Sequence, residues 1–110
     1  MAEQQPADSR QISELRNLGP ACTADLNAVG IYTAQDLIEA GVEAAFLRLL
    51  QGRVARGLST HGCNAAYLYA LYGAIHDCDW RDVPVIEKAK FKAWTAAIRA
   101  SGTFKQKPSP

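Results

Sequence analysis

The sequence predicts an all-α domain. Apolar residues recur at helical spacing in several windows, and no strand-like alternation of useful length appears. Glycine, proline and capping residues punctuate those windows at helix-length intervals. One segment, Asn64 to Asp77, is apolar nearly all round, as a helix packed on several sides is. With 110 residues the chain fits one compact domain and is large enough to fold without disulfide or metal staples. The expected architecture is a compact bundle of five to six helices over residues 9–100, between a disordered tail (1–8) and a basic flexible tail (101–110).

Each element has its own signal. Residues 9–17 read as a short helix capped by Asp8 or Ser9, with Ile12 and Leu15 turned inward. Leu18, Gly19 and Pro20 form a turn, and Pro20 suits the first position of a helix that runs to about Val29 and stops at Gly30. Leu26 and Val29 mark its buried side. Thr33 and Asp36 have capping-box spacing and open a short helix through Ala40, stopped by Gly41. Val42 to Gln51 is a further helix, with Phe46, Leu49 and Leu50 apolar and Gly52 as its terminator. Residues 52–62 hold three glycines and two arginines and read as a mobile loop.

The helix from Asn64 to Asp77 follows. Gly73 inside it costs about 1 kcal/mol against alanine, so close approach of a neighbouring helix is expected there. After a linker with Trp80, Pro84 begins the last helix, to about Ala100. Phe91, Trp94 and Ile98 share its inward face, and Trp94 is expected to be buried.

Composition removes several function classes. The chain is 48% hydrophobic and 21% charged, a globular mix that excludes a disordered protein. The formal net charge is only +1, too little for strong non-specific nucleic-acid binding by charge alone. The charge is divided unevenly: residues 1–80 carry −4 and residues 81–110 carry +5. No stretch approaches the ~20 apolar residues of a membrane span, and Met1 to Arg10 is too polar for a signal peptide. A cytoplasmic protein without membrane association is expected. Cys22, Cys63 and Cys78 are odd in number and form no C-x-x-C pair, so free thiols are expected.

The most informative stretch is Ile12 to Ala40. It has the logic of a helix-hairpin-helix: helix, tight Leu-Gly turn, helix, Gly-Ile stop, capped helix. In such a turn a glycine lets backbone N–H groups approach a phosphate, and the helix N-terminus favours the negative charge. Gly19 is the candidate glycine here, with the amides of Ala21 and Cys22 as donors. Asn17 stands where many phosphate-binding hairpins carry a first glycine, and Ala21 and Cys22 stand where they tend to carry Lys or Arg.

The order of motifs extends past the hairpin. Leu18-Gly19-Pro20, Val29-Gly30-Ile31, Thr33 and Asp36-Leu37 are followed by Asn64, the run Leu68-Tyr69-Ala70-Leu71-Tyr72-Gly73-Ala74, Trp80 and Pro84. Over roughly residues 12–95 the chain resembles the helix-hairpin-helix-like C-terminal domain of the TfoX family of bacterial competence regulators. The resemblance implies a stand-alone regulatory or interaction module connected with competence-type gene regulation. A protein partner is expected first and a weak, sequence-independent contact with nucleic acid second; the oligomeric state is left open.

The remaining candidates are weighed by geometry. Lys88, Lys92 and Arg99 lie on one side of the last helix, roughly opposite Trp94, and with Lys105 and Lys107 form a basic stripe. Arg53 and Arg56 are candidates to join it. The pairs His61/Cys63 and His76/Cys78 have zinc-ligand chemistry, but the central helix separates the two cysteines by roughly 22 Å, too far for one ion. No metal site and no cofactor are expected. Tyr67, Tyr69, Tyr72, Phe91 and Trp94 read as core rather than as a stacking platform. Ser59, Thr60 and His61 are adjacent, which does not build a nucleophile–base geometry, and no catalytic motif is present, so no enzyme is expected. Asp77, Asp79 and Asp82 read as caps and turn residues.

Overall fold

The apolar run after Asn64 becomes the helix around which the others are arranged. The computed structural model describes residues 8–60 and 62–102. In chain order the helices are α1 (Pro20–Asn27), α2 (Ala34–Ala40), α3 (Val42–Ala55), α4 (Ala65–His76) and α5 (Val85–Ser101), with 3₁₀ turns at Ile12–Glu14 and Trp80–Asp82. The Asn64 side chain caps α4 by accepting from the Ala66 amide, and Asp77 ends it in the left-handed region. Helices α2, α3 and α5 and the Trp80–Asp82 turn pack around α4, so its all-round hydrophobicity is used. Among the described residues there is no strand, only an isolated bridge between Gln11 and Thr33.

The core follows the helical periodicities. On α3, Val42, Ala45, Phe46, Leu49 and Leu50 are buried, the repeat of a stripe facing the core. They meet Leu26 of α1, Leu37 of α2, and Leu68 and Leu71 of α4 in one continuous cluster. Helix α2 has the capping box its sequence predicts. The Thr33 hydroxyl accepts from the Asp36 amide, and the Asp36 carboxylate accepts from the amides of Tyr32 and Thr33. Those backbone bonds hold the Asp36 carboxyl below the usual carboxylate range.

Four expectations are corrected. The helix expected over residues 9–17 is only the 3₁₀ turn Ile12–Glu14, although Ile12 and Leu15 do point inward. The reason lies in the backbone accounting: the carbonyls of Asp8 and Arg10 accept from the first amides of α2, at Gln35 and Ala34, and the Ile12 amide donates to Tyr32. A helix would need those same groups. Gly52 does not end α3, which runs on to Ala55; the left-handed stop is Gly57, at φ +74°. A Cβ on Gly52 would lie 2.5 Å from Cγ1 of Val29, so this glycine lets the turn after α1 approach α3.

Gly73 also marks a close approach, but not of a helix. A Cβ there would meet the Asn17 side-chain amide and the Cys78 carbonyl. Trp94 is half-buried rather than buried, with its ring 5.9 Å from that of Phe46. The centre of α5's buried face passes through Phe91 and Thr95. At about 100° per residue, Trp94 falls at that face's edge. The expectations placed on residues 1–7, on His61 and on the tail from Thr103, with Lys105 and Lys107, lie outside the described residues.

Candidate functional site

The Leu18-Gly19-Pro20 turn sits on a clamp. Asn17 has φ +70°, the left-handed conformation that asparagine tolerates better than most residues. It thus supplies the backbone shape a glycine would give, and adds a side chain. Its Nδ2 donates to the carbonyls of Cys78 (3.0 Å) and Ala70 (3.5 Å), and its Oδ1 accepts from the Trp80 amide (3.3 Å). Gly19 is the N-cap of α1 at φ −86°, and a Cβ on it would meet nothing within 4 Å. The amides of Ala21 and Cys22 belong to the first turn, where a helix offers no internal acceptor.

These three residues line a cleft of about 530 Å³ between the start of α1, the end of α3 and the start of α4. Its ionic centre is Asp25, which is 3% exposed. Both Asp25 oxygens accept from Arg53 at 2.9 Å. Arg56 donates to Oδ1 at 3.0 Å and the Tyr67 hydroxyl to Oδ2 at 2.9 Å. Arg53 is fixed further by a 2.7 Å bond to the Ser59 carbonyl. One carboxylate faces two guanidiniums, so the cluster keeps a net positive charge. Sequence reasoning left Arg53 and Arg56 unplaced and missed Asp25. The signal was present: Asp25 falls three residues after Cys22 and next to Leu26, on the buried side of α1.

The thiols beside this cluster are held in their protonated form. Burial pushes Cys22 up to about 11, against a Tyr67 hydrogen bond that lowers it. Burial raises Cys63 as well. Burial and the neighbouring Cys22 push the Tyr67 phenol up, and the Asp25 carboxylate adds to this. Moving a thiol from 9.0 to about 11 cuts its thiolate fraction at pH 8 about a hundredfold. Alkylation of the native protein with iodoacetamide at pH 8 should therefore leave Cys22 about a hundredfold slower than the same residue in the unfolded chain, as read by peptide mass spectrometry. Equal rates would show that the cleft opens freely. Among the described residues no group of histidine, cysteine and acidic side chains has the arrangement of a metal site.

The basic residues of α5 do not line the cleft. Lys88 is half-buried: its Nζ donates to the Arg81 carbonyl at 2.7 Å and lies 5.8 Å from the Tyr69 ring centre. Lys92 and Arg99 are exposed, but they occupy an edge of the helix and not its outward centre. That centre is apolar. Ile86, 80% exposed, lies on it with Ala89, Ala93, Ala96, Ala97 and Ala100, and Val85, 81% exposed, lies at its edge on the side of Lys92. Trp80, 44% exposed, lies in the turn just before α5.

The profile of the TfoX C-terminal domain matches residues 8–95, from the segment that caps α2 to the middle of α5. The chain belongs to the TfoX C-terminal domain family. None of the curated proteins matches it. Among solved structures, this TfoX C-terminal domain is similar to an uncharacterized protein from Listeria monocytogenes, crystallised in a triclinic form. The two share 28% identity and superpose with a TM-score of 0.70, over 81% of this chain and 93% of the other. The family match spans both surfaces of the domain, the cleft and the first half of α5.

Proposed function

We propose that this TfoX C-terminal domain is a non-catalytic interaction module of the cytoplasm, tied by its family to competence-type gene regulation, and that it works through the outward face of α5. The observation that carries the reading is the exposure of Val85 and Ile86, adjacent β-branched residues at 81% and 80%. Both are weaker helix formers than Glu or Lys, and an acid in a first turn would favour the helix dipole. The fold gains nothing from them there, whereas a partner would gain an apolar anchor. The cleft supports a non-catalytic role, because the Asp25 carboxylate is occupied by three donor side chains and its cysteines are held protonated.

Comparative capture from native cells tests this, with wild-type protein and the Ile86→Asp variant as baits. Ile86 touches little of the fold, so the variant should keep wild-type stability and lose the specific partner. Identical captures by the two baits would remove α5 from the function.

One observation favours a nucleic-acid contact as second reading. Neither φ nor packing requires glycine at position 19, and the open side of the turn leads to the Ala21 and Cys22 amides and to Arg53. Duplex DNA titrated at low salt decides it. The interaction reading expects no anisotropy change up to about 100 µM, near the weak end of non-specific binding. Binding that Gly19→Val abolishes in a folded protein would establish the phosphate contact.

A further inference from the structure

We infer that the occupant of the α5 face is an acidic amphipathic helix of another protein; the inference rests on the interaction reading above and narrows it to a partner class. Exposed alanines alone are ordinary on a surface helix, since alanine is the best helix former. Here they continue from a pair of large, almost fully exposed anchors, Val85 and Ile86. From Val85 to Ala100 the face runs about four turns, roughly 22 Å. Small side chains along it allow a second helix to lie at the close end of the usual 8–10 Å spacing.

Charge selects the occupant. Lys92 and Arg99 flank the face on one edge and Lys90 on the other. Glu87 is the sole acid on α5, and it lies 4.0 Å from Lys90. A helix with acidic flanks therefore meets opposite charge chiefly along the Lys92 and Arg99 edge, since Glu87 offsets Lys90 on the other, and a helix with basic flanks meets repulsion. A second copy of this chain fits poorly. Antiparallel self-pairing lays like edges together and would bring Lys92 and Arg99 against their counterparts. Whichever helix covers it, the face offers an area on the order of 300 Å², well below the ~800 Å² per partner of a standard stable interface. Nucleic acid fits poorly too, because phosphates need cations at the centre of the contact, where this face is apolar. The area and the charge together describe a transient, salt-sensitive contact.

Two synthetic helical peptides test the assignment. Both carry the same Leu/Ala face over 18 residues, with glutamate flanks in one and lysine flanks in the other, and each is titrated into the full chain with amide shifts followed by NMR. The acidic peptide is expected to bind at least tenfold more tightly than the basic one, with shifts centred on Val85, Ile86, Ala89 and Ala93. A Lys90→Glu, Lys92→Glu double variant should reverse the preference, and added salt should weaken the acidic complex. Equal binding of the two peptides, shifts centred on the cleft, or no binding of the acidic peptide at 1 mM would overturn it. Dimerisation of the free chain that Ile86→Asp abolishes would replace the acidic helix by a second copy and leave the interaction reading standing. That reading falls separately, if cell capture does not respond to Ile86→Asp.

Discussion

Asp25→Ala is expected to destabilise the domain by about 3–5 kcal/mol, the usual loss when one partner of a buried ion pair is removed. The carboxylate is 3% exposed, and its removal leaves the Arg53 and Arg56 guanidiniums facing each other without a counter-charge. It also leaves the Tyr67 hydroxyl with only the Cys22 sulfur beside it. The guanidiniums keep some solvent, with side-chain exposures of 23% and 37%, which places the expected value toward the lower end. Urea denaturation monitored by circular dichroism measures it. A loss below about 1 kcal/mol would mean that the arginines turn out to water at little cost, and that the network does not hold α1 to α3.

Gly73→Ala separates two opposing effects. In an open helix the change would stabilise by about 1 kcal/mol through propensity alone. At Gly73 the new methyl would come inside 3.0 Å of the Asn17 side-chain amide and of the Cys78 backbone carbonyl. The amide can swing away only by giving up its bonds to Ala70 and Cys78, and the carbonyl belongs to a turn closed by a bond from the Cys78 amide to Gly73 itself. Overpacking of this kind costs about 1–3 kcal/mol, sometimes more, which outweighs the propensity gain, so a net loss of about 1 kcal/mol is expected. Thermal and urea unfolding read the sign directly. A stabilised variant would show that the corner after α4 relaxes freely.

Local signals made most of the fold legible. The stops at Gly30 and Gly41, the Thr33–Asp36 box and the apolar run of α4 are each set by a few neighbouring residues, and each lies where the sequence puts it within a residue or two. What escaped was set by contacts distant in sequence. Residues 9–17 look helical until α2 claims their carbonyls. Gly52 looks like a stop until Val29 arrives against it. The same divide runs through the candidate site residues. Gly19, Ala21 and Cys22 follow from a turn motif, and they do share one cleft. Asp25, Arg53, Arg56 and Tyr67 come together across 28 to 42 residues, which no local pattern encodes. The α5 edge charges were visible as a helical spacing. That their helix presents an apolar centre depended on which face the core takes, and Thr95, polar in the sequence, belongs to that face.

The Asn17 clamp bears on how the domain comes apart. It joins the hairpin turn to the corner after α4 across 61 and 63 residues of chain, and the Asp25 cluster makes a second tie across 42. Neither half of the molecule can therefore complete its own hydrogen bonding. A fragment ending after α3 would leave Asn17 strained in a left-handed conformation with no acceptors, and one starting at α4 would lack the carboxylate that Tyr67 bonds. The domain should accordingly melt in a single transition, with the hairpin amides and the α4 amides exchanging with solvent at the same opening free energy.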